Sequence, residues 1–337
     1  MLYLCRLIMK KLKTIFLTCG VRSGAALLTR MLSVSDDFKA SSAILNFFRF
    51  FYNKYDSLDD KKNLNKAIND AHIRLKSRFN IILDKKEIIN FFKVNNKNYK
   101  NLYKIFCHQI FKNQKYRYVG DKQGNAWRHI PDYFKMFPSG KAILIIRDPR
   151  DIICSFKKFT ISKKNDYLIS LFNFVDLVNY YSILKKKFKK KIYLVKFSDI
   201  KQKPMITIKK ICKFLVIDYD KNMLNSEYFK DVRGEKWNSN KAFTFKGSLK
   251  LKTLDRWKLL MSDEDLFLCE LIAKKQMKLM GYVLSGKIIK KTTKSKALQK
   301  IYGSEILYSS YKNWERTGEG NPMYPTDPTV PTNWDNR

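Results

Sequence analysis

Two short stretches of this chain, about 125 residues apart, carry the residue types that grip phosphate or sulfonate oxygens. The first is residues 14–32, TIFLTCGVRSGAALLTRML, and the second is residues 142–156, AILIIRDPRDIICSF. Each reads as an apolar, β-branched run, then a polar turn, then a helical pattern. In the first, Gly20 and Gly24 bracket a turn through which backbone can approach a ligand closely. The amides of Ser23, Gly24, Ala25, Ala26 and Leu27 then fall at a helix N-terminus, where free N–H groups and the macrodipole favour an anion. Arg22 adds a planar, permanently charged fork. The loop is not of the metal-binding G-x-x-x-x-G-K-[ST] type, because GVRSGAA lacks both the spacing and the Lys-Ser/Thr pair. In the second stretch Asp148 suits an N-cap and Pro149 the first helical position. Arg147 ends the strand, and Ser155 lies about two helical turns further on, where both can face one anion. Together the stretches could hold a nucleotide that carries phosphate at both ends. Singly, each is equally a strand–turn–helix connection with a structural Arg–Asp pair.

Further blocks follow in order. VGDKQGNAWRHIPDYFKMFPSGKAILIIRDPRD spans residues 119–151, YLVKFSDIKQKP spans 193–204, and EKWNSNKAFTFKG with LDRWKLLMSDED and MKLMGY falls within 235–282. This ordered set resembles the sulfotransferase superfamily, whose donor is 3'-phosphoadenylyl sulfate (PAPS), over most of residues 12–284. The resemblance implies an α/β fold, a central parallel β-sheet flanked by helices in the P-loop-like sulfotransferase architecture. It implies PAPS as sulfuryl donor, PAP as product, and no metal. It gives Arg22 and the loop amides to the 5'-phosphosulfate, Arg147 and Ser155 to the 3'-phosphate, and adds Lys246 to the nucleotide-binding set. Lys122, in the G-D-K segment, is the residue that stabilises the transition state in similar enzymes, with Arg22 as a second charge sink.

The chain departs from the family pattern at several chemical positions. Ala25 and Ala26 replace a Thr-Thr pair, which removes two hydroxyl donors but leaves the amides. Ser41 and Ser42 stand where many relatives carry a catalytic Glu, while Asp36 and Asp37 lie too early. Ser198 replaces the glutamate of the R-Y-E-D-L block, and Lys241 occupies the place of a transition-state serine. His129, seven residues beyond Lys122 on the expected following helix, is the candidate substitute base, since imidazole titrates near neutrality. Its alternative is a packing or surface histidine. Trp127, Trp237 and Trp257 could line a pocket or simply fill the core.

Among 337 residues, Lys and Arg number 68 against 30 Asp and Glu, a net charge of +38. That suits polyanions or anionic membranes, but the lysines are scattered, with runs at 185–191 and 287–296, as on solvated basic faces. A nucleic-acid-binding module is the third reading. It is disfavoured because neither a base-stacking strand nor a recognition helix is visible, so no dedicated nucleic acid site is expected. Six cysteines are widely spaced without a C-x-x-C pair, which points to a reducing, cytoplasmic compartment. The first 13 residues, interrupted by Arg6 and Lys10, suit neither a transmembrane segment nor a signal peptide.

Periodicity predicts strands at 14–18, 116–119, 142–146 and 192–197, with helices at 24–33, 42–53, 58–78, 85–93, 98–113, 126–137, 149–160, 166–188, 203–215 and 262–280. Strands separated by helices imply a parallel sheet covered on both faces. The expected organisation is one sulfotransferase domain over 1–284, with a helical insertion at about 40–113, and a basic segment plus irregular tail over 285–337. The expected activity is sulfuryl transfer from PAPS to an acceptor hydroxyl of a carbohydrate or another metabolite. The alternative is a catalytically impaired PAPS/PAP-binding protein with a regulatory or scaffold role.

Overall fold

The computed structural model describes residues 12–112, 114–157, 165–237 and 254–320. Its centre is a five-stranded sheet with strand order β2-β3-β1-β4-β5. The strands are β1 (Lys13–Cys19), β2 (Phe38–Ser42), β3 (Tyr118–Gly124), β4 (Lys141–Ile146) and β5 (Ile192–Lys196), and every pairing is parallel. Parallel neighbours require crossovers, and helices supply them. The helices are α1 (Ala25–Leu32), α2 (Phe47–Phe50), α3 (Lys61–Phe79), α4 (Lys85–Lys93), α5 (Tyr99–Ile110), α6 (Ile130–Met136) and α7 (Pro149–Lys157). They continue with α8 (Ile169–Lys187), α9 (Phe197–Gln202), α10 (Pro204–Leu215), α11 (Trp257–Leu260), α12 (Asp263–Leu279), α13 (Lys291–Tyr302) and α14 (Glu305–Thr317).

Side chains alternate across the sheet, so the central strands feed two cores. Ile15, Leu17, Ile143 and Ile145 pack with Leu28, Met31, Ile208 and Ile211 of α1 and α10. Phe16, Ala142, Leu144 and Ile146 pack on the other face with Trp127, Tyr133 and the buried side of α8, and with the helices between β2 and β3. Helix α8 with its preceding turn, Asp166–Lys187, is long and apolar enough to cross a membrane, but 72% of its most apolar window is buried inside the protein.

Three expectations need correcting. FKASS at Phe38–Ser42 is an edge strand, not the approach to a helix, and the helical insertion therefore starts after β2 rather than at residue 40. Too short and polar to show a period, this strand forms because Phe38 and Ala40 bury and its backbone pairs with β3. The strand expected at 116–119 runs instead over Tyr118–Gly124, carried by pairing to β1 and β2 through residues such as Gly120, Asp121 and Gly124 that have little strand propensity. Gly120 is required by packing, since a Cβ there would lie 2.9 Å from Leu17 Cδ1 and 3.1 Å from Ala40 Cβ. Finally, the basic segment and tail expected after residue 284 contain two helices that periodicity did not predict: α13 and α14 bury Ala297, Ile301 and Leu307 in the same core as α8 and α12.

Candidate functional site

The turn between β1 and α1 has the backbone an anion loop needs. Arg22 (φ 58°) and Gly24 (φ 84°) both adopt left-handed conformations, and no side chain caps the N-terminus of α1. A Cβ on Gly24 would also lie 2.1 Å from Cδ2 of Phe197, the first residue of α9. Glycine is thus demanded twice, by dihedral and by contact. Ala25 is buried, and Ala26, the other residue standing in for threonine, is half-buried.

The two anion motifs meet in space. Arg22 Nε donates to Ser155 Oγ at 3.0 Å, and Arg147 Nη1 donates to the Arg22 carbonyl at 3.1 Å. Asp148 caps α7: its Oδ1 accepts from Arg150 N at 2.9 Å and its carbonyl from Ile152 N at 3.1 Å. The two arginines of RDPRD divide the labour. Arg150 does the structural work, bonded to Asp148, Glu270 and the Val283 carbonyl and stacked 3.8 Å from the Trp257 ring centre. Arg147 instead faces the loop, 4.7 Å from the Phe197 ring centre, with Asp151 3.7 Å away. Burial pulls the Arg147 pKa down and pushes that of Asp151 up, in each case against their mutual attraction. Each is the other's buried counter-charge. A small cavity between Gly20, Ser23, Arg147, Ser170 and Asn173 adjoins the loop.

Lys122 pairs in register with Leu17 and Ser42, which puts it on the sheet face that α1 covers, the side of the anion loop. It is half-buried, and its charge acts on the buried Cys19 thiol at the end of β1. Asp121 points to the opposite face, fully buried, and accepts from Ser41 Oγ at 2.7 Å and from Phe47 N at 3.0 Å. Burial raises its pKa against those hydrogen bonds. Both oxygens are engaged, so this carboxylate holds the 41–47 turn and is not an acid–base group. Gln123 continues the pattern by accepting from Phe48 N at 3.0 Å.

His129 does not lie two helical turns beyond Lys122. β3 continues to Gly124, Asn125 turns in a left-handed conformation with its N–H on the Cys19 carbonyl, and His129 ends a 3-10 turn, Trp127–His129. There it stacks on Phe48 at 5.2 Å, with Nδ1 3.3 Å from Asp132 Oδ2 and its side chain 40% exposed. Trp127 is core, donating from Nε1 to Asp176 at 3.2 Å. Lys241 and Lys246 lie outside the described residues. Among the described residues no group of three or more His, Cys, Asp or Glu is gathered as metal ligands.

Sequence reasoning missed Phe197, which wedges between Gly24 and Arg147, and Lys201, which is buried 5.8 Å from the same ring. Burial and the neighbouring Arg147 charge pull Lys201 down to about 8. The signal was KFSDIK at the end of β5: a strand end beside the phosphate turn is where an α/β sheet gathers ligand-facing residues.

A family model described as "Sulfotransferase family" matches residues 14–221. No curated protein matches by sequence. Among solved structures, the sulfotransferase domain from the Synechococcus PCC 7002 olefin synthase is 18% identical with a TM-score of 0.56, covering 81% of this chain and 95% of that one. A sulfotransferase domain from the curacin biosynthetic pathway is 16% identical with a TM-score of 0.54, covering 81% and 98%. A mouse sulfotransferase, SULT7A1, solved with PAP, is matched at 13% identity and a TM-score of 0.45, covering 79% and 85%. With both anion motifs, the G-D-K strand and the parallel sheet inside or around the matched span, the chain belongs to the sulfotransferase family.

Proposed function

We propose that this protein transfers a sulfuryl group from PAPS to an acceptor hydroxyl. The observation that carries this reading is the junction of Arg22, Ser155 and Arg147, which joins two anion motifs into one cationic site. The residues present fit the donor: an uncapped helix N-terminus behind Gly24 for one phosphate, and Arg147 with Ser155 for a second. PAPS would supply the activated sulfuryl group. The chain's residues would hold and polarise it. The amides of Ser23 to Leu27 would bind the 5' end, Arg147 and Ser155 the 3'-phosphate, and Lys122 would place a mobile positive charge beside the loop, where the leaving phosphate gains charge. His129, held by Asp132 and with Nε2 as its remaining ring nitrogen, is the candidate to accept the acceptor's proton.

A carbohydrate acceptor is favoured by the half-buried rings of Tyr52, Tyr99 and His129, which lie beside the end of β3 and offer flat faces with polar edges. Five cysteines, Cys19, Cys107, Cys154, Cys212 and Cys269, are buried free thiols, which supports a reducing, cytoplasmic setting. A specific observation favours the second reading, an impaired PAPS/PAP binder: Ser41, where relatives carry a catalytic Glu, is locked onto Asp121. Calorimetric titration with PAP, AMP and ATP, then assay of transfer from PAPS to a panel of hydroxyl acceptors, separates the two. PAP preference with transfer supports the enzyme, PAP preference without transfer supports the binder, and equal binding of PAP and AMP overturns both.

A further inference from the structure

Lys201 has no part in the chemistry proposed above, yet it is buried at the edge of the anion loop. β4 and β5 are neighbours in the sheet, and their carboxyl ends run into Arg147 and Phe197. In an open parallel sheet, ligands lie outside such ends. The ring of Phe197 joins three features there. A Cβ on Gly24 would lie 2.1 Å from its Cδ2, the Arg147 guanidinium is 4.7 Å from its centre, and the Lys201 ammonium is 5.8 Å from the same centre. Lys201 follows Phe197 by about one turn of α9 and is 5% exposed; Arg147 is 7% exposed. Two cations are therefore buried against one ring beside the loop.

Other charges act on the same crevice. Asp151 lies 3.7 Å from Arg147, Arg256 at the start of α11 adds a further positive charge acting on Arg147, and Asp148 is taken by Arg150 at 2.7 Å. A second observation points to a ligand here. The Tyr282 hydroxyl is buried with no hydrogen-bond partner among the described residues, and Asp148, Asp199, Arg147 and Asp151 all act on it. Lys196, at the end of β5, lies 5.8 Å from the Tyr282 ring centre. A buried donor left open in this way is satisfied when a ligand brings an acceptor.

We propose that Lys201 is a further nucleotide-binding residue, whose ammonium acts with Arg147 to select a doubly charged phosphate monoester at the 3' position. The inference rests on the PAPS reading above and adds to it the residue that sets the charge of the preferred end group. Arg147 supplies a flat, fixed fork and Lys201 a compact charge, two kinds of donor that a tetrahedral dianion can use at once. Two like charges buried close together repel, and a dianion between them turns that repulsion into attraction for both. Burial and the neighbouring Arg147 charge hold the free Lys201 ammonium at about 8. A bound dianion favours the charged form, so above that pH nucleotide binding takes up a proton.

The test is calorimetric titration of the full chain with PAP and with AMP at about pH 8.5, in Tris and in EPPS, whose different ionisation heats reveal proton uptake. Wild type should take up a proton on binding PAP and not on binding AMP. Lys201→Met should weaken PAP about tenfold or more, leave AMP nearly unchanged and abolish the uptake. Lys201→Arg should keep most of the PAP affinity and also abolish the uptake, because arginine stays charged throughout. A thermal melt checks that each variant is folded, and the wild-type buffer comparison stands without any variant. PAP preference in the wild type that persists in Lys201→Met would overturn this proposal and leave the PAPS reading intact. Equal weakening of PAP and AMP, with no proton uptake in the wild type, would make Lys201 structural and overturn it equally. Loss of PAP preference in the wild type itself would overturn the PAPS reading and this inference with it.

Discussion

Arg147→Ala tests the assignment of the second anion motif most directly. A hydrogen bond to a charged group contributes about 1.5–3 kcal/mol, so losing the partner of a 3'-phosphate should weaken PAP roughly tenfold to a hundredfold. AMP, which lacks that phosphate, should be affected far less. The structure adds a complication with a different signature. Arg147 also holds the Arg22 carbonyl and neutralises Asp151, whose side chain is only 3% exposed. Removing one partner of a buried pair costs about 3–5 kcal/mol in stability, here toward the lower end because the 3.7 Å contact is long and Asp151 keeps the backbone N–H of Trp257. Loop disorder from this source would weaken PAP and AMP together. The double variant Arg147→Ala/Asp151→Asn removes both charges and should recover much of the stability without recovering PAP selectivity. Calorimetric titration of both nucleotides on wild type, single and double variants, with urea denaturation alongside, reads the two effects separately. A PAP-to-AMP affinity ratio that survives both substitutions would refute the assignment and return Arg147 to a structural role.

Five other outcomes are expected. Gly24→Ala should cost about 1–3 kcal/mol from its positive φ alone, and the 2.1 Å approach to Phe197 adds to it, so urea denaturation should show part of the loss recovered in Gly24→Ala/Phe197→Ala. Lys201 is held at about 8 in the fold against 10.5 as its ordinary value. Between those values the native state sheds a proton that the unfolded chain keeps, so wild-type stability relative to Lys201→Met should rise with pH across that window, and a pH-independent difference would contradict the burial. Ala26→Thr should tighten PAP about tenfold if the new hydroxyl reaches the 5'-phosphate, as read by calorimetry. If the chain turns over, Lys122→Ala should abolish turnover while Lys122→Arg retains part of it, and His129→Ala should lower kcat with little change in PAP affinity; unchanged rates would remove either residue from the mechanism.

The strand–turn–helix geometry of the two anion motifs was legible in the sequence because it is local. A strand, a turn and a helix start within 19 consecutive residues, 14–32, contain the whole loop, and RDPRD contains its own cap. What could not be read was set by tertiary pairing. β2 has a polar half and five residues, and exists because β3 lies beside it. The C-terminal half of β3 reads as a turn, with Gly120, Asp121 and Gly124, and becomes a strand because β1 and β2 flank it. That extension moved His129 from the second turn of an expected helix to the end of a 3-10 turn. The partition of RDPRD into a structural Arg150 and a loop-facing Arg147 was also invisible, since it depends on Glu270 and Val283, more than a hundred residues on.

The same contrast separates the two halves of the chemistry. The donor side is built on hydrogen bonds between rigid elements, Arg22 to Ser155 and Arg147 to the loop carbonyl. The proposed acceptor side is a turn after β2 in which Ala43 (φ 60°) and Asn46 (φ 47°) both hold left-handed conformations without being glycine. Such conformations persist only where surroundings over-determine them. Here they do: Ala43 N donates to the Lys122 carbonyl, its carbonyl accepts from the buried Arg74 at 3.3 Å, and Arg74 Nε bonds the Ile44 carbonyl at 2.8 Å. Asp121 then pins Ser41 and Phe47 from below. Arg74 and Asp121 therefore fix the wall that runs from Ser41 to Phe48 beside Lys122. The catalytic glutamate common among relatives is absent from that wall, and the group stacked on its far end is His129. In the proposed reaction His129 or the acceptor itself takes the proton, and Asp121 does not serve because Ser41 and Phe47 hold both its oxygens.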